Sequence, residues 1–221
     1  MIGLTQGEEN YLKAIYHLQK LFDGPVKTND LAKKINTKAS SATDMIRRLA
    51  DKSLVLYEKY QGCTLTRKGE KEALKTIRKH RLWETFLVEK LNFGWEEVHE
   101  IAEQLEHIQS VELTNRLDAF LNFPKFDPHG DPIPNIDGEV LTRTEISSLA
   151  ELKVGTKAKI VGVYDSSSSF LQYLDKYQIG LGDEIIIKER FDFDNSCEVL
   201  FKGKTLNFSA SVASKLRVQI Q

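Results

Sequence analysis

The feature that most limits how this chain can fold is the run PKFDPHGDPIPNIDG, from Pro124 to Gly138. Proline fixes φ and removes a backbone donor, while glycine and aspartate favour turns, so neither a helix interior nor a central strand can contain such a stretch. It is loop and linker, and it separates two kinds of pattern. Before it, apolar residues recur at helical spacing. Beyond Ser147 the pattern turns to short β-like segments, Ala158–Val163, Glu184–Lys188 and Cys197–Phe201, with a helix near Ser168–Lys176. About seventy residues of that kind suggest a small β-barrel.

From about Thr5 to Leu21 the residues Tyr11, Leu12, Ile15, Leu18 and Leu21 mark one face of a helix, broken by Asp23-Gly24-Pro25. Thr28-Asn29-Asp30 offers an N-cap to a short second helix, and Ser40 or Ser41 to a third. In that third helix Ala42, Met45, Ile46 and Leu49 point inward, leaving Thr43, Asp44, Arg47 and Arg48 outward. Two short helices with a tight turn form a helix-turn-helix. Strand-like Leu54–Glu58 and Cys63–Leu65 then flank Lys59-Tyr60-Gln61-Gly62, a hairpin with a basic, aromatic loop that forms a wing. A long helix follows from Thr66 with Leu74, Ile77, Leu82, Phe86 and Leu87 as core, stopped by Asn92-Phe93-Gly94. A second is expected from Trp95 to about Asn115, and a third from Asn115 to Leu121.

Composition matters chiefly through its distribution. Net charge over 221 residues is −1, but residues 1–82 hold 17 Lys/Arg against 9 Asp/Glu, whereas 83–151 hold 4 against 15. A basic first third suits phosphate contacts, because Lys and Arg displace counterions condensed on DNA. An acidic middle third suits cations. The candidate DNA-contacting residues are therefore Thr28, Lys38, Ser40, Ser41, Thr43, Asp44, Arg47 and Arg48 of the helix-turn-helix, with Lys59 and Tyr60 of the wing. Asp44 costs binding near phosphates unless it accepts from a base amine or pairs with a neighbouring arginine. Apolar runs fall far short of the ~20 residues of a membrane helix, and MIGLTQGEEN has neither a basic nor an apolar leader region, so a soluble, cytoplasmic protein without membrane partners is expected. Cys63 and Cys197 have no metal-site or disulfide spacing and are read as reduced thiols.

The middle third carries the sharpest constellation. His99, Glu103, Glu106 and His107 fall at i, i+4, i+7 and i+8, which on one helix places all four in a single arc. His80 and Glu84 form a further i, i+4 pair on the preceding helix. Taken alone, such pairs are usually solvated surface residues. Four of the five histidines (His80, His99, His107 and His129) lie within 50 residues, however, and that clustering favours a metal site. Imidazole and carboxylate without sulfur suit Mn²⁺, Fe²⁺ or Zn²⁺.

The stretches ENYLKAIYHL, LVLYEKYQGCTLTRKGEK, RKHRLWETFLVEKL, WEEVHEIAEQLEHIQSVELTNRLD and PHGDPIP resemble the iron-dependent repressor family over nearly the whole chain, in its manganese-regulator-like, three-domain form. The resemblance implies a mainly α protein with a β C-terminal domain: a winged helix-turn-helix over 1–72, a helical metal-binding and dimerisation domain over 73–141, and an SH3-like domain over 150–221. It implies a homodimer that binds palindromic operators of metal-uptake genes when loaded with metal. By position it assigns Glu103, Glu106 and His107 to an activating site and His80, Glu84 and His99 to an ancillary one. Iron-responsive members place cysteine where this chain has Glu103, so Mn²⁺ is the favoured cofactor, Fe²⁺ the alternative, and Zn²⁺ a substitute in vitro. Where the family supplies a first-helix ligand, Met or Asp, this chain has Asn10, whose amide adds no charge. Lys13 stands where some members offer an acid, and it cannot bind metal. Third-domain ligands fall on Ser166 and Ser169, with Asp165 as a substitute. An acidic pocket of this kind repels itself when empty, so cation binding is expected to draw the first helix inward.

Two other readings compete. A winged-helix regulator with an organic effector, or none, would bind operator without metal. A metallohydrolase would need an open coordination position beside a substrate pocket, and HExxH, nucleophile-elbow and P-loop motifs are absent. Neither an enzyme nor an organic substrate is expected.

Overall fold

The computed structural model describes residues 3–141 and 146–221, and these gather into two compact units. The first takes the chain up to His80 together with Glu103–Asn115 and Pro134–Glu139. The second takes Arg81–Ala102, Arg116–Ile133 and Val140–Gln221.

The first unit opens with α1 (Gln6–Phe22), which starts on a reciprocal cap. Glu8 N donates to Thr5 Oγ1 and Thr5 N donates to the Glu8 carboxylate. Asp23 ends the helix in the left-handed region at φ 50°. Helices α2 (Thr28–Lys34) and α3 (Ala39–Asp51) follow, then β1 (Val55–Glu58) and β2 (Gly62–Leu65), paired antiparallel. Tyr11, Leu12, Ile15 and Leu18 of α1 bury against Leu31, Ala42, Ile46, Leu49, Leu54 and Val55, the expected inward faces. The hairpin is tied to the chain between α1 and α2 by two Val26–Cys63 backbone hydrogen bonds of 2.9 Å. Capping departs from expectation. Thr28 is the first residue of α2 and Lys27 its cap, while Lys38 precedes α3, so neither Thr28, Ser40 nor Ser41 caps.

Helix α4 (Arg67–Leu91) begins in the first unit, and it ends where Asn92 turns left-handed at φ 56°. Two helices are expected from Trp95 to Leu121 with their break at Asn115; two form, α5 (Val98–Leu105) and α6 (Val111–Phe120), and the break comes earlier. The cause is Ser110, whose Oγ accepts from Leu113 N at 3.1 Å and restarts the helix. Glu106 and His107 consequently lie in a turn beyond α5, and the four-residue arc does not form.

In the second unit Leu82, Leu117, Leu121 and Ile133 make a small cluster with Trp83 and Phe86. Beside this cluster in sequence stands an all-antiparallel six-stranded sheet ordered β3-β8-β4-β5-β6-β7, the SH3-like β-domain. Its strands are β3 (Ile146–Ser148), β4 (Lys157–Val163), β5 (Glu184–Phe191), β6 (Ser196–Phe201), β7 (Lys204–Phe208) and β8 (Leu216–Ile220). Helix α7 (Ser168–Lys176) crosses between β4 and β5, and α8 (Ala210–Lys215) precedes β8. Register shifts at Ile160/Gly162 and Ile187/Glu189 bend the sheet around its core of Leu149, Ile160, Leu171, Ile187, Val199 and Phe208. No described helix is long and apolar enough to cross a membrane.

Candidate metal centre

Within the first unit, the turn after α5 delivers Glu106 and His107 to side chains of α1 and α4. Glu106 is fully buried. Its Oε2 lies 2.6 Å from the Lys13 ammonium and 2.6 Å from His80 Nδ1, and Lys13 reaches Glu103 Oε1 at 3.1 Å. At 2.6 Å from a carboxylate, His80 Nδ1 is assigned the proton and donates it. Burial pushes the Glu106 carboxyl upward, but the hydrogen bond from His80 and the charge of Lys13 outweigh it and hold the group below its ordinary range. The expected self-repelling empty pocket is thus corrected by a residue that sequence reading set aside: Lys13 supplies the positive charge.

His107 is oriented from α1 as well. Its Nδ1 lies 2.5 Å from Glu9 Oε2, and Glu9 is held in turn by Gln109 Nε2 at 3.0 Å and Lys79 Nζ at 3.3 Å. With the proton on Nδ1, Nε2 keeps its lone pair and faces Glu106 Oε1 at 3.8 Å. That Oε1 is buried and has no hydrogen-bond partner among the described residues. Leaving a buried acceptor unmade costs about 1–3 kcal/mol, so such an atom calls for an explanation. Two ligands bonded to one ion at ~2.0–2.2 Å lie at most about 4.4 Å apart, so the His107/Glu106 gap has the size and donor chemistry of a divalent cation site. A histidine ligand usually donates its other N–H to a carboxylate, and Glu9 stands where such a carboxylate would. Asn10, the assigned first-helix ligand, is half-buried and enters none of these contacts.

The second unit holds its own cluster. Glu84, Asp127 and His129 are buried, with one potential ligand atom each, all within 4.8 Å of one another. Glu84 Oε1 is 3.3 Å from His99 Nδ1, and Glu84 Oε2 is 3.7 Å from His129 Nδ1. His129 Nε2 lies 3.3 Å from Trp95 O, which assigns the proton there and leaves Nδ1 toward the carboxylates. Asp127 shapes the loop, since its Oδ1 accepts from both His129 N and Asp131 N at 2.9 Å. Gly130, at φ 84°, then lies against β4, where a Cβ would sit 2.1 Å from Val161 O. Burial opposes a charge on His129, but its bond to Glu84 and the nearby Glu84 and Asp127 charges push its pKa up to about 9. Burial and the neighbouring Glu84 and Asp131 push Asp127 up to about 7. Arg81 bridges to Asp127 at 3.5 Å and Asp131 at 3.7 Å.

Other expected ligands fall elsewhere. Asp165 pairs with Lys215 at 2.6 Å and accepts from Ser167 N at 2.8 Å, while Ser166 and Ser169 are exposed. Sequence reading missed Glu9 and Asp127 as site residues. A signal for Asp127 existed in DPHGD, an aspartate followed by turn residues; Glu9 had none, because its partner is 98 residues away.

On the helix-turn-helix, Lys38, Ser40, Ser41, Asp44, Arg47 and Arg48 are exposed and Thr43 and Thr28 half-buried. Asp44 Oδ1 lies 3.7 Å from Arg47 Nη1 in an exposed pair one turn apart on α3. Tyr60, at the tip of the wing, is 89% exposed, with the Lys59 ammonium 5.0 Å above its ring.

Three family models match in order along the chain. They are described as iron dependent repressor, N-terminal DNA binding domain (residues 3–63), iron dependent repressor, metal binding and dimerisation domain (66–135), and FeoA domain (147–220). An uncharacterized HTH-type transcriptional regulator of Methanocaldococcus jannaschii is 42% identical over 118 residues, 53% of this chain and 94% of that protein. The iron-dependent repressor IdeR of Mycobacterium leprae is 32% identical over 136 residues, 62% of this chain and 59% of that protein, so the match spans less than two thirds of it. A solved manganese-dependent transcriptional repressor in complex with manganese is 36% identical with a TM-score of 0.83, covering 97% of this chain and 100% of that one.

Proposed function

We propose how this chain, which belongs to the iron-dependent repressor family of metal-dependent transcriptional repressors, senses its metal. Glu106 Oε1 and His107 Nε2 are the inner ligands of the activating site, Glu103 completes the carboxylate pair, and Glu9 fixes the His107 tautomer. The carrying observation is the buried, unpartnered Glu106 Oε1 facing the His107 lone pair. Bound metal would supply a divalent charge that joins these groups without proton transfer. Glu9 belongs to α1 and orients His107, so the ligand turn and the first helix of the DNA-binding region hold each other. That linkage supports a coupling in which metal occupancy and operator affinity reinforce each other equally.

All the inner donors are oxygen or imidazole nitrogen, which favours Mn²⁺, with Fe²⁺ as the alternative. Glu84, Asp127 and His129, with His99 beside Glu84, form an ancillary site of the same donor type. His80, which the resemblance places in that ancillary set, also contacts Glu106. The species that acts is a homodimer on a palindromic operator, with α3 presenting Thr43, Arg47 and Arg48 and the wing presenting Lys59 and Tyr60.

One observation favours an organic effector instead: a cavity of about 420 Å³ in the first unit, lined by Leu4, Glu9, Lys75, Arg78, Ile108 and Val111 among others. A single experiment separates the two readings. Fluorescence anisotropy of the purified protein on its own promoter DNA, at fixed salt, would compare chelator, Mn²⁺, anaerobic Fe²⁺ and Zn²⁺. Mn²⁺ is expected to tighten binding by about tenfold or more, roughly 1.4 kcal/mol of coupling. Operator binding that ignores every metal would sink the reading in favour of the cavity or of no effector.

A further inference from the structure

We propose that Lys13 is a tethered counter-cation that competes with the metal for Glu103 and Glu106 and so sets the concentration at which this protein loads. The inference rests on the activating-site assignment above and goes beyond it. Three observations carry it. The ammonium lies 2.6 Å from Glu106 Oε2 and 3.1 Å from Glu103 Oε1, bonded to both carboxylates of the assigned site. The Lys13 side chain is 13% exposed and Glu106 is fully buried, so that bond is made in a poorly solvated place where screening is weak, while Glu103, 45% exposed, is the solvent-facing partner. The other oxygen of Glu106 is without a hydrogen bond, which leaves the carboxylate half satisfied by lysine and half open.

Charge arithmetic gives the consequence. Two carboxylates and one ammonium leave a net charge of −1, enough to attract a divalent ion but less than the −2 of the carboxylates alone. A divalent ion bonded to Glu106 Oε1 and Glu103 would stand a few ångströms from the Lys13 ammonium, and like charges at that distance repel strongly away from bulk water. Lys13 must therefore leave when the site loads. Until then it spares the buried Glu106 the cost of lying beside a second carboxylate without a cation. The same side chain stabilises the metal-free protein and weakens metal binding. Because it springs from α1, its departure alters a contact of the first helix of the DNA-binding region.

The test is Mn²⁺ affinity of the full chain, measured by competition with a fluorescent chelator, for the parent protein, Lys13→Gln and Lys13→Arg, together with thermal melts in excess chelator. Lys13→Gln is expected to bind Mn²⁺ at least about tenfold more tightly and to melt lower without metal, while Lys13→Arg stays near the parent. Equal or weaker Mn²⁺ binding by Lys13→Gln, with the parent still loading, overturns the role of Lys13 and leaves the metal-sensor reading intact. Failure of both proteins to bind Mn²⁺ overturns both. Should Lys13→Gln not fold, acetylation of Lys13 in the parent, followed by mass spectrometry, decides: labelling is expected to rise on Mn²⁺ addition, and unchanged labelling refutes displacement.

Discussion

The two units solve one problem differently. Each buries carboxylates, which is costly unless a cation pairs with them. The first unit uses a permanent cation, the Lys13 ammonium on the buried Glu106, with the exposed Glu103 as its second partner. The second relies on Arg81 beside Asp127 and on a proton, with His129 pushed up to about 9 by Glu84 and Asp127. A lysine charge must be moved to admit a metal, whereas a histidine proton has only to be released. Metal entry into the second unit should therefore depend on pH, and entry into the first on competition with a side chain.

The largest effect should come from breaking the first arrangement. Glu106→Ala leaves Lys13 and His80 without their buried partner, and removing one member of a buried pair costs about 3–5 kcal/mol. Denaturant melts in chelator would read this loss, and Mn²⁺-dependent operator binding should vanish in the same variant. A change within ~0.5 kcal/mol, the usual range for surface sites, would mean that Glu106 is not the hub of the network.

The second arrangement is broken by pH. His129 has a folded pKa raised from 6.5 to about 9, so its stabilisation is fully present below pH 6.5 and is lost as pH rises through 9. The groups facing it are Glu84 from α4, Asp127 of its own loop and the Trp95 carbonyl, and Arg81 stands beside Asp127. Asp127, raised to about 7, acts in the same direction, because the folded state again holds the proton more tightly. The metal-free protein should thus lose stability as pH rises from 3.8 to 9, first through the Asp127 window of 3.8 to 7 and then through the His129 window of 6.5 to 9, and His129→Asn should flatten the upper part of that slope. Parallel slopes for the two proteins would exclude His129 as the source.

A smaller effect tests the scaffold of the second cluster. Gly130→Ala adds a Cβ 2.1 Å from Val161 O at a left-handed φ. Overpacking of this kind costs about 1–3 kcal/mol. The loop bearing Asp127 and His129 should loosen, so metal titration would lose the weaker, ancillary class of site while the activating class persists. Loss of both classes would show that the two sites are not independent.

The same contrast explains what the sequence could and could not reveal. Helices α1 to α4 were legible because each buries a continuous apolar stripe, and α7 was readable to its last residue from Ser168 to Lys176. The division at Ser110 was not, because the apolar spacing runs on through it and only the serine marks a new start. Strand β7, KTLNF, is short and mostly exposed and gave no signal, whereas β8, LRVQI, alternates apolar and polar and could have been found. In the site, the ligand types His and Glu were visible as a cluster. Their partners were not. The bonds Lys13–Glu106 and Glu9–His107 join residues more than ninety positions apart, and no local pattern encodes such a pairing.

The smallest effect probes the one element on which the first site depends and the second does not. Helix α1 carries both Glu9 and Lys13, and its first turn is held by the Thr5/Glu8 cap, with Glu8 tied also to Lys52 at 2.5 Å. Replacing an N-cap threonine by alanine costs about 1 kcal/mol. Thr5→Ala should lower the melting point slightly and speed amide exchange in the first turn of α1, leaving exchange in the β-domain unchanged. If α1 is the mechanical partner of the ligand turn, the frayed start also slackens Glu9, four residues along, and Mn²⁺ binding to the activating class weakens by no more than about the same 1 kcal/mol. An exchange change confined to α1 without any change in Mn²⁺ affinity would place the site's rigidity in α4 and the ligand turn instead, and Glu9 would lose its standing as the residue that orients His107.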